Sequence, residues 1–395
     1  MSAVDPTSLV GTTINNRYTV GQLITSRDHC PLFHGREHES GSDVSLRFFL
    51  GPPGVSPDVR HTLQQNFVRA ANTMAYMSRM NEAVVRAAAG AELAVLPGGL
   101  QVPFAVLEPV HGASLAWHLA TQDDEGRPGL SVADSVDLLE APMRVVAQAH
   151  DHGIVHRHIE PANFWVFANV LRPRVKIKLM GYSGVPTVAS IRRESEAIVR
   201  EPYNHHYAAP EQFLVDEYAI GPWTDVYGMA IILIEVMRGG RQVVQTRDVE
   251  AAAVASADPH RRPTPRALGL AVSDAVEKIF WHALVADRMH RFRAMGEFCD
   301  ALQETVRNRT QTWTKRAYSS SASASGSIEV SATDLPDLPD LPPVVYHGDE
   351  EVLEMPDRSS RETAPQLKPL DPVELPAAND GGPVVAVSTA RKVAS

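Results

Sequence analysis

"IVHRHIEPANFWV", Ile154 to Val166, gathers two histidines, an arginine, a glutamate and an asparagine between apolar flanks. His158 is the residue on which its reading turns, because an imidazole can accept a proton near neutral pH. The run before it, "SVADSVDLLEAPMRVVAQAHDHG", has helical character. Ser131, with Asp134 three residues on, gives that run a capping-box-like start, and Gly153 ends it. Pro142 inside the run is expected to kink it or split off its first part, since proline cannot donate to the helical ladder.

Upstream, the first 110 residues or so are strand-rich. "RYTVGQLI", "CPLFHGREH" and "DVSLRFFL" alternate or run apolar and are divided by Gly, Asp and Ser clusters. One helix follows over about 59–79, with Leu63, Phe67, Ala70, Met74 and Met77 at helical spacing. "PFAVLEPV" is another strand. Downstream, "DVYGMAIILIEVMRGG" and "SDAVEKIFWHALV" are helical runs. A strand-rich half joined to a helix-rich half is an α+β pattern.

After about Thr314 the character changes. "SSSASASGS" is a flexible spacer, "DLPDLPDLPP" repeats every three residues, and prolines recur at 356, 365, 369, 372, 376 and 383. Prolines at that density forbid long helices and central strands, so 317–395 reads as a disordered tail offering short binding segments. It holds 13 acidic and 5 basic residues, a net of −8; the whole chain carries −10, which leaves −2 for the 316 residues before it. A near-neutral body with an acidic tail gives no support for nucleic-acid binding. The two cysteines, Cys30 and Cys299, lie far apart with no CxxC, which fits a reducing interior. "MSAVDPTSLV" has no signal-peptide pattern, and "MAIILIEVM" is far shorter than the ~20 residues of a membrane span, so a cytoplasmic location is expected.

The order of motifs over roughly 15–305 resembles a eukaryotic-type Ser/Thr protein kinase domain. "VHRHIEPANFWV" matches the catalytic loop H-R-D-L-K-P-x-N. "VKIKLMGYSG" stands where a strand, D-F-G and the activation segment begin. "YAAPEQF" contains A-P-E, "WTDVYGMAIILIEVM" is similar to the buried helix headed by D-x-W/Y-S-x-G, and "ALVADRMHRF" to the late L-x-x-D-P-x-x-R-F segment. The resemblance implies a bilobal fold: a small strand-rich N-lobe over about 15–108 and a larger helical C-lobe over about 109–305. A short extension, 1–14, would precede it.

Phosphoryl transfer is mostly positioning and charge stabilisation, and the positions that supply these are altered here. The three glycines over the phosphates fall on Thr25, Arg27 and Cys30. Arg27 is read as a surface hairpin arginine rather than a phosphate ligand. The strand lysine becomes Arg47, a planar fork instead of a compact ammonium. Its helix-borne glutamate partner falls on Ala70. His158 replaces the catalytic Asp, and Glu160 replaces the lysine two residues on. Asn163 survives, but D-F-G becomes Leu179, Met180 and Gly181, and leucine cannot ligate Mg²⁺. The bland reading of His158 is a tolerated residue in a retired loop. His156 and Arg157 keep the H-R pair. Glu211 and Arg291 match a buried pair tying the activation segment to late helices, and Asp225 matches a helix-start carboxylate that receives loop N–H groups.

The histidines at 150, 152, 156 and 158 do not converge on one face at their spacing, so no metal site is expected. Leu107, Glu108, Pro109 and Val110 match the hinge, whose backbone would face an adenine ring. That leaves ATP binding without Mg²⁺ open, with Arg47, Leu107, Glu108, Val110 and Asn163 as contacts. The sequence thus reads as a pseudokinase, a scaffold or allosteric partner of an active Ser/Thr kinase, with Ser319–Ser327 as candidate phosphoacceptors. The alternative is a divergent active Ser/Thr kinase in which Arg47 and Arg27 grip ATP and His158 assists.

Overall fold

The computed structural model describes residues 4–27, 29–167, 176–181, 204–213, 219–246, 248–258, 260 and 262–307. The segment between Gly181 and Asn204 and the tail 317–395, with its candidate phosphoacceptors, lie outside them.

Six strands form the N-lobe sheet: β1 (Thr13–Ile14), β2 (Tyr18–Arg27), β3 (Cys30–Glu37), β4 (Asp43–Phe48), β5 (Glu92–Val95) and β6 (Gln101–Leu107). Their order is β1-β2-β3-β4-β6-β5, all pairs antiparallel. One face buries Tyr18, Phe33, Phe48 and Phe104, with Phe48 stacked on Phe104 at 5.4 Å. Residues 4–14 are part of this sheet rather than a separate extension. Asp5 caps a short 3-10 turn, Leu9 and Ile14 are fully buried, and β1 pairs with β2, so the domain starts before residue 15. Their apolar side chains complete the sheet's packed face, which is why they belong to it.

Helix α1 (Pro57–Met80) crosses this sheet, begun by the Ser56 cap and a first-turn proline. Its buried face carries Asn66, Phe67, Ala71, Met74, Ala75 and Met77. Ala70, expected on that face, is only half-buried, one position off the stripe.

The C-lobe holds α2 (Leu115–Asp124), α3 (Val132–Asp151), α4 (Pro222–Met237), α5 (Val249–Ala257), α6 (Asp274–Ala283) and α7 (295–307), with a small sheet of β7 (Ala113–Ser114), β8 (Phe164–Phe167) and β9 (Lys176–Leu179). Ser131 Oγ accepts the Asp134 N–H at 3.2 Å, and Gly153 turns the chain out of α3 at φ +71°. Pro142 does not divide α3. The helix runs through it, and the ring is buried against neighbours, so packing outweighs the lost ladder bond. Helix α4 is apolar all round and buried along nearly its whole length. Among the described residues no helix is long and apolar enough to cross a membrane.

Glu211 and Arg291, both about 3% exposed, form a two-pronged ion pair at 2.8 and 3.1 Å. Thr224 Oγ1 donates to the same carboxylate, while Arg291 also donates to the Val285, Ala286 and Trp223 carbonyls and lies over the Tyr227 ring. Glu211→Ala should therefore cost about 3–5 kcal/mol, because it strands a buried guanidinium. Urea unfolding of the variant beside the wild type measures this.

Candidate functional site

The loop 154–163 is fixed from below by Asp225, a buried carboxylate in the first turn of α4. It accepts the backbone N–H groups of His156 and Arg157, both at 2.7 Å, and faces His150 Nε2 at 2.9 Å. Arg157 has φ +64°, a left-handed conformation that costs a non-glycine residue roughly 1–3 kcal/mol. Its backbone is held on both sides, N–H by Asp225 and C=O by Gln212 Nε2 at 2.8 Å. His156 is fully buried, and burial outweighs the Asp225 carboxylate beside it, lowering its pKa to about 4. The four nearby histidines take separate partners: His150 Nδ1 accepts the Met295 N–H, His152 bonds the Gln148 carbonyl, His156 Nδ1 accepts the His158 N–H, and His158 Nε2 lies 3.1 Å from Glu160.

Leu179 ends β9 with its backbone engaged on both sides. Its N–H donates to the Ala83 carbonyl and its C=O accepts the Val85 N–H. Its side chain is fully buried in the apolar cluster that includes Met77, Val85 and Phe164. A metal that must be held at this position meets hydrocarbon. Arg47, on β4, reaches the other side of the cleft: a Cβ on Gly181 would stand 3.2 Å from Arg47 Nη1 and 3.3 Å from Asn163 Oδ1. Gly181 is required there, at φ +98° and with that close approach. Asn163 Nδ2 donates to the His158 carbonyl. Among the described residues no carboxylate pairs with Arg47. Leu179 and Asn163 are a poor donor set for Mg²⁺, which is usually held through carboxylates.

The hinge N–H groups of Glu108 and Val110 have partners within the chain. The Val110 N–H donates to Ser45 Oγ at 2.9 Å, a buried bond between strand β4 and the residues after β6. The Glu108 N–H is taken by the Arg86 carbonyl, and its carboxylate by Lys178 Nζ at 2.5 Å. Leu32, Leu107, Val110, Trp165 and Met180 are all buried in one apolar cluster around these groups. The Trp165 indole N–H is buried without a hydrogen-bond partner among the described residues. The expectation that the hinge backbone faces an adenine ring thus meets a donor already satisfied in cis. Ser45, which the sequence reading passed over, is the reason; a hydroxyl on a central strand opposite the hinge is its only signal.

Glu160 is the site's least anticipated residue. It is about 1% exposed and gathers Arg27 Nη2 at 3.1 Å, His158 Nε2 at 3.1 Å and Asn204 Nδ2 at 3.0 Å. Burial opposes its charge, but these partners prevail and lower its pKa to about 2. Arg27 is an exposed arginine at the β2–β3 hairpin, as the sequence suggests, and its guanidinium also reaches the loop below. Beside this cluster lies a cavity of about 590 Å³, lined by Asp123, Asp124, Glu160, Asn204, Tyr207 and Glu235 among others. Within its wall the Tyr207 hydroxyl donates to Glu235 at 2.7 Å. Burial raises the Glu235 pKa to about 7 against the lowering effect of that bond.

The chain's sequence is similar to those of several bacterial proteins. Over 293 residues the chain is 24% identical to the Ser/Thr protein kinase PknA of Mycobacterium tuberculosis, covering 74% of this chain and 62% of that protein. It is 28% identical over 205 residues to the Ser/Thr protein kinase Pkn1 of Myxococcus xanthus, covering 51% of this chain and 27% of that one. The chain is thus similar in sequence to Ser/Thr protein kinases. It spans less than two thirds of the length of these relatives. No protein-family model matches it. Among solved structures, the M. tuberculosis PknI kinase domain aligns at 18% identity and a TM-score of 0.48, over 75% of this chain and 98% of that domain.

Glu235 gives a pH dependence whose sign follows from its raised pKa. Between the ordinary carboxyl value of 4.5 and about 7, the native state holds a proton that the unfolded chain has released. Raising pH through that window therefore weakens the native state. Glu235→Gln keeps an acceptor for Tyr207 and removes the titration, so its stability relative to wild type should climb across the window. Urea midpoints at several pH values for both proteins check this; the opposite-signed contribution of His156 cancels in the difference.

Proposed function

We propose that the chain is a pseudokinase: a protein-kinase-like domain that does not transfer phosphate and acts as a scaffold or allosteric regulator in cytoplasmic Ser/Thr kinase signalling. The observation that carries this reading is Leu179, a fully buried hydrocarbon side chain at the position where the family resemblance places a metal-ligating aspartate. Three further features support it. His158 is engaged with Glu160 rather than presented as a base, Arg47 has no carboxylate partner among the described residues, and the Val110 N–H is bonded to Ser45. ATP without Mg²⁺ would have to break that Ser45–Val110 bond to reach the hinge. The partner we propose is an active Ser/Thr kinase, the activity named for the chain's relatives, with the acidic tail supplying short motifs or phosphoacceptor serines.

A divergent active kinase is the competing reading, favoured by the approach of Arg47 and Asn163 on either side of Gly181. Incubation with radiolabelled ATP and either Mg²⁺ or Mn²⁺ separates the two. The purified protein is expected to label neither itself nor a generic protein substrate. Robust labelling that disappears in Arg47→Ala would overturn the pseudokinase reading. Thermal shift adds a second readout: ATP should leave the wild-type midpoint unmoved with or without Mg²⁺, and Ser45→Ala, which frees the hinge N–H, is the variant in which stabilisation by ATP should appear.

A further inference from the structure

The hairpin between β2 and β3 is two residues long, with Arg27 paired to Cys30 across its neck. Strand β2 is irregular on the way there, with register shifts between Val20 and Leu23 and again between Leu23 and Thr25. Bulges of this kind bend a strand and re-aim the side chains beyond them. Beyond these, Arg27 crosses 133 residues of sequence to reach Glu160.

An ion pair between exposed side chains would deserve little weight. This one differs at its receiving end. The Glu160 side chain is 2% exposed, lies in the loop that Asp225 anchors, and remains ionised because donors surround it. It joins three elements: the N-lobe hairpin through Arg27, its own loop through His158, and the segment before Ala-Pro-Glu through Asn204. Both charged groups that act on it, Arg27 and His158, come from those elements. The Arg27 side chain is 44% exposed, so the guanidinium is the arm that can be withdrawn while the carboxylate stays buried.

We propose that Arg27 and Glu160 form a built-in clasp, which holds the β2–β3 hairpin down on the loop 154–163 by an internal ion pair rather than by a bound ligand. Closure of one lobe on another around a ligand draws on the ligand's contacts to both sides. Here the chain carries both halves of the contact itself. Arg27, Glu160 and Asn204 also line the 590 Å³ cavity, so opening the clasp removes one wall of it. The clasp is thus a control point: whatever withdraws Arg27 changes the hairpin and the cavity together. It closes the hairpin whether or not the chain transfers phosphate.

Hydrogen exchange of the full-length protein, followed by mass spectrometry without nucleotide, tests it. Arg27→Ala should speed exchange in peptides covering 24–33 by about tenfold, the loss of one charge-assisted hydrogen bond discounted for exposure. Peptides from α4 should keep their protection. Arg27→Lys should fall between wild type and Arg27→Ala. Glu160→Gln should match Arg27→Ala in the hairpin, and the double variant should exceed neither single one. Unchanged hairpin exchange in Arg27→Ala, or additive effects in the double variant, would overturn the clasp. If Glu160→Gln also loses protection in α4, that variant has unfolded and Arg27→Ala alone decides.

Discussion

The whole site hangs on one buried carboxylate. Asp225 sits in the first turn of a helix so apolar that only burial accounts for it, and from there it accepts two consecutive loop N–H groups at 2.7 Å each. Those bonds hold Arg157 in a left-handed conformation it would not keep alone. With Arg157 so turned, the chain presents His158, Glu160 and Asn163 upward while Ile159 and Phe164 enter the core. Remove the carboxylate and the loop has no reason to adopt its shape. This anchoring needs no substrate, and it would keep the loop's shape with or without its chemistry, consistent with the function we propose.

The two layers of the molecule differ in how they use charge. Below the loop, Glu211–Arg291 and Asp225–His150 are structural pairs, desolvated and fully hydrogen-bonded. In the cleft, the groups that would serve a phosphate are diverted to one another. Glu160 stands where the resemblance expects a lysine, and its carboxylate takes the Arg27 guanidinium from the β2–β3 hairpin. Leu179 buries hydrocarbon where a metal ligand would stand, and Ser45 takes the hinge N–H. Each change substitutes an internal partner for an external one.

Much of this was legible in the sequence, for identifiable reasons. The α+β order, the cap at Ser131, the exit at Gly153 and the burial of α4 follow from local patterns that tertiary structure had no cause to override. Glu211, Asp225 and Arg291 could be placed because the motifs that hold them resemble those of the kinase family, in the same order. The misses share a different physics. Pro142 lies within an unbroken helix because packing at that turn outweighs one missing bond. Ala70 is displaced from the core stripe by one residue, a shift that periodicity alone cannot fix. Residues 4–14 join the sheet through Leu9 and Ile14, too few apolar positions to announce a strand. Arg27–Glu160 and Ser45–Val110 are long-range pairs between positions whose residue types are individually unremarkable, and no local signal announces such a meeting.

We propose that this fold is kept without a metal–phosphate site. Electron paramagnetic resonance of Mn²⁺ titrated with the protein and ATP addresses it directly, since Mn²⁺ takes oxygen ligands as Mg²⁺ does. The Mn²⁺–ATP signal should be the same with and without protein, because Leu179 offers the metal nothing. A protein-bound Mn²⁺ signal that requires ATP and vanishes in Asn163→Ala would contradict the account.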